Sequence, residues 1–269
     1  MVDVAPSSHY YRPVGGDEEA LRAAIGEVAG ITGLGGVGKS QLAVALVYRY
    51  GRFFPGGVFW VSMANPDAIE TEIALCGGLQ GMNLRPDFVE LPLPDQVTLV
   101  QREWLKPVAR LLIFDNCEEE RLLEEFRPKA GGCRVMVTSR RGNWLRGTGV
   151  QMVALATLPR GESVALLQKH VPDAAAADLD SIAQELGDLP LALHLAGSYL
   201  ETYQEAVTPV SYLEQLQEKG LLNHPSLQGK GANYSPTQHE LHVWRTFAVS
   251  YAGLNVNHTM HRLAKGMLA

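Results

Sequence analysis

A glycine-rich segment near the beginning of the chain carries the strongest chemical signal in the sequence. It fits the pattern G-x-x-x-x-G-K-[ST] at every position and reads Gly33-Leu34-Gly35-Gly36-Val37-Gly38-Lys39-Ser40. Glycines let backbone N–H groups turn towards an anion, and a helix that follows directs its positive N-terminal end to the same place. In this pattern Lys39 reaches the β- and γ-phosphates of a nucleotide, and Ser40 offers its hydroxyl to Mg²⁺. The segment therefore predicts a phosphate site, against the alternative of an ordinary glycine-rich turn.

The sequences on both sides of this segment are of the kind that such a site requires. Residues 28–32 form a short apolar, partly β-branched run, which is typical of a buried strand. Residues 41–48 are helix formers. We therefore expect a strand, a phosphate-binding loop and a helix in succession.

A candidate metal ligand ends another apolar run at 110–115. Four apolar residues precede Asp115, so a buried strand would deliver its carboxylate beside the loop, where it would hold Mg²⁺ through water. The alternative is that Asp115 merely starts a turn. Asn116 stands where many hydrolases of this kind carry a second acid, and an amide is a poor base. Glu118 could substitute for that acid through a small shift, although the run 118–120 favours the solvated start of a helix, so we expect slow hydrolysis.

A candidate cation ends the apolar run at 133–140. Ligands of open α/β sheets bind at the carboxyl ends of the strands. Arg140 could therefore meet a γ-phosphate and report its presence, while the alternative is a surface arginine in a loop. We expect Arg141 and Arg146 to be surface charges.

The elements that must position these groups alternate along the first half of the chain. Strands are predicted at 28–32, 57–63, 110–115, 133–140 and 151–155, with helices at 66–79 and 96–105 and a proline-rich loop at 83–95. This alternation predicts an α/β fold with a parallel sheet flanked by helices. After residue 158 the pattern predicts only short helices, at 162–170, 179–186, 191–203 and 210–219. We thus predict a nucleotide-binding domain at 1–157, a helical domain at 158–222, a linker at 223–238 and an incomplete further domain at 239–269.

Composition narrows the function classes. The 269-residue chain has a net charge of −6 and no block of Lys and Arg, so nucleic acid is not the expected partner. Its three cysteines show no metal-binding spacing, which favours reduced thiols. No signal peptide or run of about 18–20 apolar residues is present, so the sequence predicts a cytoplasmic protein without a membrane segment.

Five ordered motifs together resemble the NB-ARC domains, which belong to the STAND class of P-loop signalling ATPases. They are the phosphate-binding loop, Phe59-Trp60-Val61, Leu112-Ile113-Phe114-Asp115, Val137-Thr138-Ser139-Arg140 and Leu186-Gly187-Asp188-Leu189-Pro190-Leu191-Ala192-Leu193, the last being similar to the family's G-x-P signature. The segment that begins Arg12-Pro13-Val14 resembles the entry motif of the family. The resemblance covers roughly residues 12 to 268.

This resemblance implies the roles of individual residues. Pro190 would pack on the adenine, Val14 and its neighbours would close the other side of the base, and Arg140 would sense the γ-phosphate. Ser40 and Asp115 would bind Mg²⁺, and the catalytic residues would be Asp115, Asn116 and Arg140. The residues implied to contact the nucleotide are Arg12, Pro13, Val14, Gly33, Gly35, Gly36, Val37, Gly38, Lys39, Ser40, Gln41 and Pro190.

The chain also departs from the family pattern. Gly16 and Asp17 stand where the entry motif usually has an arginine and an acid, so the adenine contacts there are less specified. Residues 239–269 would begin a winged-helix domain, and neither His258 nor His261 lies in that domain's histidine-containing motif. Sensor and effector parts are missing, which predicts a fragment.

The resemblance implies a signalling switch that exchanges ADP for ATP, hydrolyses slowly and self-associates in the ATP state of the full-length protein. Three other functions stay open. A remodelling ATPase of the AAA+ kind expects a second acid at Asn116, and a small-molecule kinase expects an Arg-rich lid, which the helices after residue 158 do not supply. A scaffold that holds ADP as a structural cofactor without hydrolysis is the third alternative.

Overall fold

The computed structural model describes residues 28–144, 149–219 and 224–228. Arg12, Pro13, Val14, Arg146 and the whole of 239–269 lie outside the described residues. The strands and helices of the first half are β1 (Val28–Thr32), α1 (Lys39–Tyr50), β2 (Val58–Ser62), α2 (Ile69–Leu75), α3 (Leu93–Trp104), β3 (Arg110–Asp115), α4 (Glu120–Phe126), β4 (Cys133–Ser139) and β5 (Gln151–Ala154). Four helices follow: α5 (Arg160–His170), α6 (Ala176–Glu185), α7 (Pro190–Thr202) and α8 (Pro209–Lys219).

The five strands form one sheet in the order β2-β3-β4-β1-β5, and every neighbouring pair is parallel. This confirms the predicted α/β fold with a parallel sheet. The register places Thr32 at the end of β1 opposite Ser139 at the end of β4. The loop after β1 therefore starts beside the carboxyl end of β4, one strand away from that of β3, at the edge where the candidate acid and cation were predicted.

Strand β3 forms the centre of the hydrophobic core because all six of its residues are buried. Trp104 of α3 is fully buried and meets Phe114 edge to face, with ring centroids 6.4 Å apart. Strand β2 lies at an edge of the sheet, and its residues alternate between buried and half-buried. Trp60 is only half-buried, whereas Phe59 and Val61 are buried.

The structure moves the limits of several predicted elements, α3 and the helix predicted at 66–79 among them. Helix α3 begins at Leu93, three residues earlier than predicted, because a proline is tolerated in the first turn, where its missing N–H is not needed. The helix predicted at 66–79 is shorter. It consists of a 3₁₀ turn over Pro66–Ala68 and α2, which ends before the turns at Gly77 and Gly78.

Backbone contacts divide the chain into two compact units. Among the described residues, the first contains 28–33 and 39–155, and the second contains 34–38 and the residues from 156 onward. Helix α7 is the most buried helix of the second unit. Within the stretch predicted to be a linker, Pro225–Gln228 forms a 3₁₀ helix, and the buried Ser226 hydroxyl lies 2.8 Å from the hydroxyl of Tyr212. No helix in the described ranges has both the length and the apolar character needed to cross a bilayer.

Candidate phosphate and metal site

The loop between β1 and α1 has a backbone that favours glycine at three positions. Gly33, Gly36 and Gly38 have φ angles of 150°, 77° and 101°, which side chains with a Cβ atom rarely adopt. Val37 between them is fully buried. Helix α1 begins at Lys39 directly after the loop, so the partial positive charge of its N-terminus adjoins the last glycine. These φ angles and the position of the helix start are what an anion-binding loop requires.

Lys39 folds back over this loop. Its Nζ donates a hydrogen bond of 3.0 Å to the carbonyl oxygen of Gly33. The pKa of Lys39 is lowered to about 8, chiefly by burial and then by the positive charge of Arg140, whereas Glu118 and Asp115 act in the opposite direction. The ammonium group is therefore poorly solvated, and an anion placed beside it would stabilise its charged form.

The carboxylate of Asp115 lies within hydrogen-bonding distance of the hydroxyl at the start of α1. Ser40 Oγ donates to Asp115 Oδ1 over 2.8 Å, and Thr138 Oγ1 donates to the same oxygen. Asp115 is almost completely buried. A hydroxyl beside a carboxylate is a ligand set suited to a hard divalent cation, so these residues fit Mg²⁺. No cluster of three or more His, Cys, Asp or Glu that could hold a metal occurs in the described part of the chain.

Asn116 follows Asp115 in the left-handed backbone region, with a φ angle of 60°. Asparagine adopts this region more readily than most residues. Its backbone N–H donates to Thr138 Oγ1 over 2.9 Å, so Thr138 joins Asp115 and Asn116 through a single hydroxyl. Asparagine at position 116 therefore suits the left-handed backbone conformation there, in addition to any role in the chemistry.

Glu118 and Glu120 are not the solvated helix start that the sequence suggested. The Glu118 carboxylate accepts hydrogen bonds from Ser139 Oγ at 3.0 Å and from the Arg140 backbone N–H at 3.0 and 3.2 Å. Glu120 pairs with Arg141 at 3.0 Å, so Arg141 is tied to α4 at that point. Two carboxylates thus fasten the segment after β3 to the end of β4.

Gln41 was predicted to contact the nucleotide, and its side chain has an unusual environment. Its Nε2 is buried and has no hydrogen-bond acceptor among the described residues. A buried donor without a partner is costly, and ligand-binding sites are a common reason to keep one. This donor in the first turn of α1 fits a polar ligand at the loop.

In the second unit, the loop residues 34–38 contact the start of α7. The backbone N–H of Leu191 donates to the carbonyl oxygen of Gly36 over 3.1 Å. The first N–H groups of a helix have no partner within it, so this bond satisfies one of them. Pro190, the predicted adenine contact, precedes Leu191 and is the first residue of α7.

An ion pair that the sequence did not reveal shapes the turn before Pro190. Asp188 has a φ angle of 56°, in the left-handed region. Arg160 holds its carboxylate through two hydrogen bonds of 2.8 and 2.9 Å and lowers its pKa. The two residues are 28 positions apart, so only the packing of α5 against this turn brings them together.

Three sequence comparisons identify relatives of this chain. It is 27% identical over 205 residues to the regulatory protein AfsR of Streptomyces griseus and 29% identical over 196 residues to AfsR of Streptomyces coelicolor, which covers 74% and 68% of this chain. It is 24% identical over an alignment of 217 residues to a nucleotide-binding leucine-rich repeat (NLR)-like protein of Hyaloscypha variabilis, and the match covers 71% of this chain. The aligned part is about a fifth of each relative, at 21%, 20% and 21% of their lengths.

Solved structures support the fold alone. Cdc6p from Pyrobaculum aerophilum superposes with a TM-score of 0.56 at 15% identity and covers 75% of this chain and 65% of its own. At this identity the similarity establishes the parallel-sheet architecture and says nothing of the ligand. No protein-family model matches the chain.

Proposed function

We propose that this chain, an NB-ARC-like P-loop ATPase domain of the STAND class, is the part of a larger regulatory protein that switches between ADP- and ATP-bound states. A nucleotide-binding signalling ATPase is supported by its relatives. In the proposal, residues 1–157 form the nucleotide-binding domain and 158–222 the helical domain. Sensor and effector segments elsewhere in the full-length protein would receive and pass on the signal.

One observation carries the proposal. Ser40 Oγ and Asp115 Oδ1 lie 2.8 Å apart beside a loop whose three positive-φ glycines precede the N-terminus of α1. A phosphate chain would meet backbone N–H groups and the Lys39 ammonium, and Ser40 and Asp115 would hold Mg²⁺. The cation, when bound, neutralises charge on the phosphate oxygens. Lys39 would exchange its hydrogen bond to Gly33 for the stronger attraction of a phosphate.

Arg140 is the residue proposed to distinguish ATP from ADP. It follows β4 directly, and its charge acts on Lys39 strongly enough to lower the pKa of that residue. A guanidinium there would contact a γ-phosphate and have no equivalent partner in ADP. Pro190, Arg12, Pro13 and Val14 are proposed to contact the adenine.

We expect hydrolysis to be slow because residue 116, where a second acid would activate water, is an asparagine. Asn116 carries an amide, which orients a water molecule but is a poor base. The next acid along the chain, Glu118, already accepts hydrogen bonds from the Ser139 hydroxyl and the Arg140 backbone N–H. A bound nucleotide would therefore be held as a signal for longer than in an ordinary turnover enzyme.

A switch requires that the nucleotide bind two states with different affinity. Moving a population from 1:99 to 99:1 needs about 5.5 kcal/mol of difference. In the proposal that difference arises from contacts of Arg140 and Pro190 with the nucleotide. In the full-length protein, the change to the ATP-bound state would allow self-association.

The test is the identity of the nucleotide that leaves the purified protein on denaturation, measured by mass spectrometry. We expect ADP in the wild type and in Lys129→Ala, an exposed lysine that pairs with Glu124, and much less in Lys39→Ala. Equal nucleotide content in all three proteins would contradict the assignment of Lys39.

Asn116 also favours a second candidate, a scaffold that holds ADP and does not hydrolyse ATP. Steady-state phosphate release distinguishes these functions. Turnover above about 1 s⁻¹ would favour a remodelling ATPase. Slow but measurable release that Lys39→Ala abolishes would support the switch, and release equal to that of Lys39→Ala would support the scaffold.

A further inference from the structure

We infer that Glu118 is a positioning residue, which aims Arg140 at the terminal phosphate by holding the backbone where β4 ends. This inference rests on the proposed function and concerns the same site. Nothing in the motif pattern assigned this role to Glu118, since the sequence favoured a solvated helix start.

The geometry is that of a carboxylate bound to one short segment of backbone and side chain. Glu118 accepts from Ser139 Oγ at 3.0 Å and from the Arg140 N–H at 3.0 and 3.2 Å. The Ser139 hydroxyl in turn accepts from the Arg141 N–H at 3.0 Å. Glu118 therefore restrains the peptide unit that carries the Arg140 side chain.

Glu118 and the metal-site acid belong to the same continuous segment. Asn116 and Cys117 separate Asp115, the last residue of β3, from Glu118, and Thr138 ties Asp115 and Asn116 to β4 through its hydroxyl. The Cys117 N–H donates to the Thr138 carbonyl oxygen over 2.9 Å. The segment from 115 to 118 is thus bound to 138–140 at each step, so a movement of Arg140 would have to break the bonds to Glu118.

The electrostatic effect of Glu118 has the opposite sign to its positioning effect. A carboxylate near Lys39 repels phosphates, and ATP carries more negative charge than ADP. If removal of this charge were the only effect, both nucleotides would bind more tightly, and the gain would be larger for ATP than for ADP. If Glu118 positions Arg140, its removal weakens ATP binding relative to ADP. The sign of the change in selectivity separates the two effects.

The experiment compares Glu118→Gln with Glu119→Gln in the whole chain. Glutamine keeps the length of the side chain but loses its charge, and its NH₂ group cannot accept a hydrogen bond. Glu119 is exposed, and its side chain makes no cap hydrogen bond at the start of α4, so its variant removes the same charge one residue away. Affinities for ADP and for an ATP analogue with a β,γ-methylene bridge are measured by calorimetry with Mg²⁺.

We expect Glu118→Gln to lower the ratio of analogue affinity to ADP affinity about three- to tenfold, the effect of one lost hydrogen bond. ADP affinity should change much less, and Glu119→Gln should leave the ratio unchanged. Arg140→Ala should lower the ratio more, and Glu118→Gln should lower it no further in the double variant, because Glu118 acts on the ratio through Arg140.

The outcomes separate this inference from the proposed function. A ratio that rises or stays constant in Glu118→Gln, while Arg140→Ala lowers it, overturns the positioning role alone. Equal losses of affinity for ADP and for the ATP analogue in Glu118→Gln overturn the positioning role as well, because they indicate a general structural effect. If the wild type binds neither nucleotide, the proposed function itself fails.

Discussion

Thr138 provides a quantitative test of how the site is built. Its hydroxyl is buried, donates to Asp115 Oδ1 and accepts from the Asn116 N–H at 2.9 Å. Valine has nearly the same shape and no hydroxyl, so Thr138→Val leaves one N–H without its acceptor and removes one bond from a buried carboxylate. A buried donor without its partner costs about 1–3 kcal/mol, and a hydrogen bond to a charged group contributes about 1.5–3 kcal/mol. Because the two losses share one atom, we expect a total loss of about 2–4 kcal/mol.

The assay is urea unfolding of the nucleotide-free protein, with Thr138→Ser as the matched control. Serine keeps the hydroxyl and loses a methyl group, which costs on the order of 1 kcal/mol. The midpoint should therefore fall further for Thr138→Val than for Thr138→Ser at an unchanged slope. If valine is tolerated as well as serine, Thr138 does not support Asp115 and Asn116 as we describe.

Three further predictions concern single residues. With EDTA present, ADP affinity should fall about eightfold from pH 7.5 to 9, because ADP needs the cationic form of Lys39, whose pKa is about 8. Calorimetry at several pH values would show this fall, and Lys39→Arg should remove it. The Arg160–Asp188 pair lowers the pKa of Asp188, so its contribution to stability is present above the unfolded pKa of about 3.9 and is lost as pH falls through the folded value. The difference in urea midpoint between wild type and Arg160→Ala should hence be smaller at pH 3 than at pH 7; a constant difference would contradict this. Gly36→Ala should lower the urea midpoint, since Gly36 has a φ of 77° and its new Cβ would lie 3.1 Å from Leu191 Cβ, whereas Gly161→Ala, which meets nothing within 4 Å, should not.

Local sequence was sufficient to predict much of the fold. The apolar runs at 28–32 and 110–115 have the same limits as β1 and β3, because a strand covered on both faces needs an uninterrupted apolar run. Lys39, Ser40 and Asp115 were chosen by motif and strand ending, and the structure places them together. Their roles in binding stay predictions until a nucleotide is measured.

The missed features depend on contacts between distant residues. The bonds from Thr138 to Asp115 and from Ser139 to Glu118 depend on the pairing of β3 with β4, over 23 and 21 residues. Local composition could not show this, because it treats a run of three glutamates as polar surface. The burial of Ser226 in a stretch that reads as linker likewise depends on Tyr212.

Calorimetric titration of nucleotide-free protein with ADP and Mg²⁺ tests the central claim most directly. We predict a single site in the wild type, an affinity at least about tenfold lower in Lys39→Ala because a charge-assisted bond is lost, and loss of the Mg²⁺ dependence in Ser40→Ala. Absence of binding in the wild type, or unchanged affinity in Lys39→Ala, would contradict the assignment of residues 33–40 as the phosphate site.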